Sequence, residues 1–412
     1  MRHLQAVEAE KTRSLWESKS FILLAGATVI SSLSMSMFMF IQAWYIVEGL
    51  GREAALGIVL SCLTGAQIFS LIVGGVLSDR SSQTRIMSLS EFFRAAFALG
   101  LASLFISLEN VPIWVLAINA LFFGVLGGLF EPARDSLLPK IIHKDDLTRA
   151  NSIIQGMIQT ALFSGPLLAG VLLSVTSYSI LFLTISLLLA IAGTGVLFIK
   201  QTSKGKKETI SFKIQLKEGF YYTWKKPLLR GVLIVTIIVN FFISGPLMMG
   251  LPIFVEGVLK GGSIDFSFVQ GGFTLGMIIG SIVMGWLNLR RKRGAYALYL
   301  IALMGVGMLV FSQSTSVSMA VGIILFIGML NPAVNIPLIS MIQAHAHSEK
   351  VGRVMSLIRM GSLGLIPLSY AAVSFILSFG IEISTIMVWS AFPLILTTVL
   401  LFFMFPILRE AD

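Results

Sequence analysis

Apolar residues fill this chain in long blocks of nearly constant length, separated by short polar interruptions. In order they run over roughly 21–46, 54–77, 86–107, 112–131, 150–174 and 178–199, and after one longer break over 229–254, 265–287, 295–313, 317–342, 355–379 and 383–407. Each is close to the length, about 20 residues, at which an α-helix crosses a hydrocarbon core of about 30 Å with every backbone hydrogen bond made internally. The pattern predicts an all-α integral membrane protein of twelve transmembrane helices. The break from Lys200 to Lys226 divides them six and six, predicting an N-terminal half over 1–199, a polar linker over 200–227 and a C-terminal half over 228–412. Within the linker, Phe212 to Trp224 alternates apolar and polar residues, as a helix lying on a membrane surface would.

Composition excludes a soluble globule. The chain has 412 residues, 56% of them hydrophobic and 12% charged, with a mean hydropathy of +0.90, more apolar surface than a water-soluble domain of this size can hide. The net charge of +10 would suit nucleic acid, but its placement argues against that partner. Lysines and arginines concentrate in alternate loops, whereas Glu48, Glu53, Glu109, Glu256, Asp265 and Glu382 fall in the opposite set with only Arg52 and Lys260. This bias predicts a multi-pass protein of the cell inner membrane with both termini cytoplasmic, its basic loops against anionic lipid headgroups. The lone cysteine, Cys62, leaves no disulfide or zinc framework. The charged first 20 residues predict a cytoplasmic tail ahead of an uncleaved first helix.

One short interruption stands out. In Gly74 to Arg85, GGVLSDRSSQTR, an apolar run ends at Leu77 and a charged turn follows. Gly75 and Asp79 are four apart, so they share a helix face, and the glycine leaves room for a neighbouring helix beside the carboxylate. Arg80 and Arg85 add cations where a helix leaves the membrane on its cytoplasmic side. The stretch resembles the loop signature between the second and third helices of the major facilitator superfamily, with Gln83 and Thr84 where basic residues are usual. IGSIVMGWLNLRRKR, from Ile279 to Arg293, repeats it weakly: Gly280 matches Gly74, and Gly285 stands in the place of Asp79.

The fifth block carries ALFSGPLLAG, in which Ala161, Gly165 and Ala169 recur every four residues as a small-residue face and Pro166 removes a backbone donor. Tight helix packing alone would account for it. Gly165, Pro166, Ala169 and Gly170 also resemble the fifth-helix signature of drug-exporting proton antiporters of the superfamily, with an alanine in place of one glycine and another at Ala161. Three further stretches, Phe130 to Gln155, Leu216 to Arg230 and Val351 to Leu368, are similar to the branch containing macrolide efflux proteins and siderophore exporters. The resemblance implies two six-helix halves that rock around a central site, and it implies Asp79 as a conformational latch.

Ionisable residues within membrane helices are costly and point to function. Glu91 and Arg94, three apart, read as a structural pair near the interface or as part of a proton relay. Glu131, at the expected end of the fourth block, is the first candidate for proton coupling and Asp79 the second; no carboxylate is expected at mid-bilayer depth. By the resemblance, the first, fourth, seventh and tenth helices line the cavity. They carry the uncharged polar residues Gln42, Asn119, Asn240, Asn331 and Asn335 among Met35, Phe38 and other methionines and aromatics, walls that accept varied apolar ligands. Helix-to-helix hydrogen bonding and ordinary packing is the alternative for each. Catalytic residues, a metal site, a phosphate loop and a cofactor are not expected. The expected function is proton-coupled efflux of an amphipathic small molecule such as a macrolide-like drug, by a monomer. Export of a metabolite such as a siderophore, uptake of a nutrient, or a transport-dead sensor stand beside it.

Overall fold

The computed structural model describes residues 15–200, 220–287, 292–345 and 351–404; within these, the side chains of Val76, Asp79, Arg80, Lys144, Ser356, Arg359 and residues 351–353 lie outside the description. Twelve helices are long and apolar enough to cross a membrane. In the first half they are α1 (Lys19–Trp44), α2 (Glu53–Arg80), α3 (Gln83–Ser107), α4 (Ile113–Ile141), α5 (Leu147–Val175) and α6 (Tyr178–Leu197). In the second they are α7 (Pro227–Ile243, continued by turns to Val258), α8 (Ser263–Leu287), α9 (Arg293–Ser312), α10 (Val317–His345), α11 (Val351–Gly364 and Ile366–Leu377) and α12 (Ile383–Met404). Large apolar side chains such as Trp286, Ile106 and Val175 point outward, 85%, 77% and 76% exposed. A bilayer is the solvent that makes such a surface stable.

Hydrophobic attraction between helices is weak in lipid, so close packing must hold the bundle together. The two halves achieve it in the same way. In the first, α2 crosses α4 with backbone against backbone: a Cβ on Gly74 would lie 2.9 Å from the Gly128 carbonyl and 3.2 Å from Leu129 Cα. In the second, α8 crosses α10, and a Cβ on Gly280 would run into Met329. The matched glycines of the weak sequence repeat thus occupy matched seats. Gly75 faces open space, with nothing within 4 Å. The residue that admits the neighbouring helix is Gly74.

Local breaks shape the helices lining the middle. Beyond Trp44, α1 winds into a π turn, Tyr45–Gly49; α7 does so twice, at Ser244–Met249 around Pro246 and at Phe254–Val258. Helix α11 is interrupted at Leu365, just before Pro367. Helix α4 is longer than the expected block: it passes through Pro132 and Pro139 to Ile141, because surrounding helices can satisfy what a proline frees. Of the expected linker helix, residues 212–219 lie outside the described residues. Its described end, 220–225, carries Phe220 stacked on Trp224 at 5.5 Å and Lys225 over the Tyr221 ring at 4.2 Å.

Candidate functional site: the path between the halves

The end of the bundle bearing Glu48, Glu53 and Glu256 is here termed acidic, the opposite end basic. The hydrogen bonds and ring stacks found between the halves among the described residues sit toward the acidic end. Ser61 donates to the Pro367 carbonyl at 2.8 Å and Ser374 donates to that of Ala54, joining α2 to α11. Gly57 leaves no room for a Cβ against the Tyr370 carbonyl. On the other side Ser263 donates to the Gly170 carbonyl at 3.3 Å, and Phe266 of α8 stacks on Phe40 of α1 at 4.5 Å. The path is therefore shut at its acidic end.

The fifth-helix signature serves two interfaces at once. Ala161, Gly165, Pro166 and Gly170 are all buried. Gly165 lies against Ser36 of α1, whose hydroxyl donates to the Leu162 carbonyl at 3.3 Å, within the first half. Gly170, further along, lies against Ser263 and Ser267 of α8, in the other half. The loop signature is only partly in view: Gly75 borders open space, Arg85 is exposed, and the side chains of Asp79 and Arg80 lie outside those described.

The cavity candidates divide into two sets. Phe38 is fully buried and stacked on Phe123 with centroids 3.8 Å apart. Gln42 donates to the Leu116 carbonyl at 3.0 Å and Asn119 donates to that of Phe97 at 3.1 Å, both enclosed. These three face the interior of the first half and tie α1 to α4 and α4 to α3, which corrects the expectation that they line the path. Met35, Asn240, Asn331 and Asn335 remain partly open. Asn335 donates to both the backbone and the side-chain oxygen of Asn331 at 3.0 Å, and Asn240 donates to the Thr236 carbonyl at 2.9 Å. The amide oxygens of Asn240 and Asn335 are not used in those bonds.

Two carboxylates stand well inside long apolar helices, Glu131 in α4 and Glu91 in α3. Glu131 is ten residues short of the end of α4 at Ile141, about 15 Å from it at the helical rise. Its carboxylate accepts from Gln67 of α2 at 3.1 Å, a partner the sequence did not single out. The neighbouring Arg134 is engaged by Asp135 at 2.8 Å. Glu91 pairs with Arg94 at 3.0 Å, and its carboxylate also accepts from Ser31, midway along α1, at 2.9 Å. This pair is wholly enclosed: Glu91 is 0% and Arg94 1% exposed, with the guanidinium 5.1 Å from the Phe123 ring centroid. Glu91 Oε2, Arg94 Nε and Arg94 Nη2 have no hydrogen-bond partner among the described residues.

The family model for the Major Facilitator Superfamily matches residues 24–366. The chain belongs to that superfamily. Its relatives include an uncharacterised transporter of this type, YvqJ of Bacillus subtilis (strain 168), 25% identical over 88% of each chain. Macrolide efflux protein A of Streptococcus pyogenes is 22% identical over 83% of this chain and 85% of its own. Among solved structures, nucleoside transporter NupG superposes with a TM-score of 0.73 at 12% identity, covering 94% of this chain and 99% of that one. The superfamily member described here is a multi-pass membrane transporter, all-α, with twelve helices in two six-helix halves.

Proposed function

We propose that this transporter is an exporter of amphipathic compounds of macrolide-like character, coupled to protons and working by alternating access. The observation that carries the reading is the pathway shut at its acidic end by α2 against α11 and α5 against α8, with an intramembrane carboxylate, Glu131, hydrogen-bonded across to α2. The similarity to a macrolide efflux protein over most of the chain supports the substrate class. In this reading the basic end faces the cytoplasm, the state seen is the one that loads substrate, and the partly open Met35, Asn240, Asn331 and Asn335 meet it. The boundaries 1–199, 200–227 and 228–412 are then two rocking units and their linker, in a monomer of the inner membrane whose basic loops meet anionic headgroups.

A proton-driven exporter needs a group that exchanges its proton as the halves move and whose protonation substrate binding opposes. Glu131 suits that task because Gln67, its partner, sits on a helix that must move against α11. Asp79 and the Glu91–Arg94 pair are secondary candidates, the former as a latch for the opposite state. Accumulation of radiolabelled erythromycin in cells expressing the chain tests the reading. Lower accumulation, restored by an uncoupler and by Glu131→Gln, is the expected result. Export in Glu131→Gln that remains fully sensitive to the uncoupler removes that residue from the mechanism.

A further inference from the structure

At the acidic end, outside the shut gate, a cup of about 500 Å³ lies between the halves. Its walls come from both: Trp44, Glu48, Thr176 and Tyr178 from the first, Glu256 and Lys260 from the second. The two glutamates are a matched pair. Val47-Glu48-Gly49 closes α1 and Val255-Glu256-Gly257 closes α7, each on a π turn, Tyr45–Gly49 and Phe254–Val258. Single π turns inside helices recur at functional sites because the extra residue re-aims the side chains around it. Here both turns present a carboxylate to the same space.

The chemistry of the walls is specific. Tyr178 donates to Glu48 Oε2 at 2.9 Å, fixing that carboxylate while leaving its other oxygen to the cup. Trp44 is held rigid by stacking on Phe266 at 5.5 Å, and Tyr178 by Phe105 at 5.5 Å, so the aromatic wall is preformed. The volume is that of a site for a drug-sized molecule, about 300–1,000 Å³. Two carboxylates and one ammonium line the cup, and Glu53 stands beside Gly257, next to Glu256, so acidic groups outnumber the ammonium and the cup attracts an organic cation.

We propose that this cup is a second binding site, for amphipathic organic monocations, distinct from the central path. A cation there touches Glu48 and Glu256 together and so holds the halves in the state with the acidic end shut, because only that state brings the two carboxylates into one cup. The site does not depend on what the central path carries or on proton coupling. Its failure would leave the exporter reading standing, and the reverse.

The test is calorimetric titration of the purified full-length protein with tetraphenylphosphonium, and with the equally sized anion tetraphenylborate. Tetraphenylphosphonium should bind, and Glu48→Gln with Glu256→Gln should weaken it by about tenfold or more, as loss of two nearby charges implies. Lys260→Gln, which raises the net negative charge, should tighten it several-fold, a gain that misfolding cannot mimic. Glu109→Gln, at the same end but outside the cup, should change nothing. Equal binding of tetraphenylborate, unaltered affinity in the double variant, or no gain in Lys260→Gln would each overturn the proposal.

Discussion

The hydroxyl of Ser369, on α11, stands inside the backbone ladder of α7 and takes the Gly245 N–H at 2.7 Å. It also donates to the Phe241 carbonyl, the group that Gly245 would otherwise bond. A foreign hydroxyl thus carries one rung of α7 just before Pro246, where the helix goes into its π turn. An insertion of this kind bends a helix, and it ties the bend of α7 to the segment of α11 that shuts the acidic end.

Ser369→Ala leaves a buried N–H and a carbonyl to find each other across a gap shaped for an oxygen. The expected loss is about 1–3 kcal/mol, the cost of unsatisfied buried groups, read as a lower thermal midpoint of the purified protein. A midpoint equal to the parent's would mean that α7 closes its own rung.

Gly74 and Gly75 should behave oppositely, although they are neighbours. Gly74→Ala places a Cβ 2.9 Å from the Gly128 carbonyl and should cost about 1–3 kcal/mol through overpacking against backbone. A Cβ on Gly75 meets nothing within 4 Å, so Gly75→Leu should cost far less stability than Gly74→Ala. Transport should nevertheless fall in Gly75→Leu, since the basic end has to close in the other state. Midpoints and erythromycin export measured on the same two variants check both.

Gly170→Ala sets a methyl against the Ser263 carbonyl and Ser267 across the halves. The variant should fold and spend more time with the acidic end open. With Cys62 replaced by serine, a cysteine introduced at Ser374, 5% exposed in the α2–α11 seam, should react several-fold faster with a charged maleimide in the Gly170→Ala background. An unchanged rate would show that the α5–α8 contact yields without opening.

Arg94→Ala strands the fully buried Glu91 carboxylate and should destabilise the protein by about 3–5 kcal/mol, as breaking an enclosed ion pair does. Glu91→Gln combined with Arg94→Met, which removes both charges and keeps the volume, should recover most of that loss. Thermal unfolding of the three proteins decides whether the pair is coupled as its geometry requires.

Helix number, order and the six-and-six division were legible because a bilayer demands long apolar blocks, and the twelve spans begin and end near the expected residues except on α4. The end of α4 was hidden by Glu-Pro-Ala-Arg-Asp, which reads as a loop by local preference and is helical because its neighbours enclose it. That misreading put Glu131 at the end of its helix, whereas α4 continues to Ile141. Phe38, Gln42 and Asn119 were assigned to the path because a helix that is apolar on every side offers no pattern to tell one face from the other. The pair Gly74 and Gly75 carried the same ambiguity, one residue being 100° of rotation around the helix. Gln67 and Ser369 gave no signal, since a lone amide or hydroxyl in an apolar run has a partner only once the helices are assembled.

The backbone-on-backbone crossings at Gly74 and Gly280 have a mechanical meaning. With no side-chain layer between them, α2 cannot slide along α4, nor α8 along α10, without carbonyl striking Cα. Each pair behaves as a welded plate. Compliance in this molecule is then concentrated at the seams where plate meets plate and at the proline-weakened joints of α7 and α11.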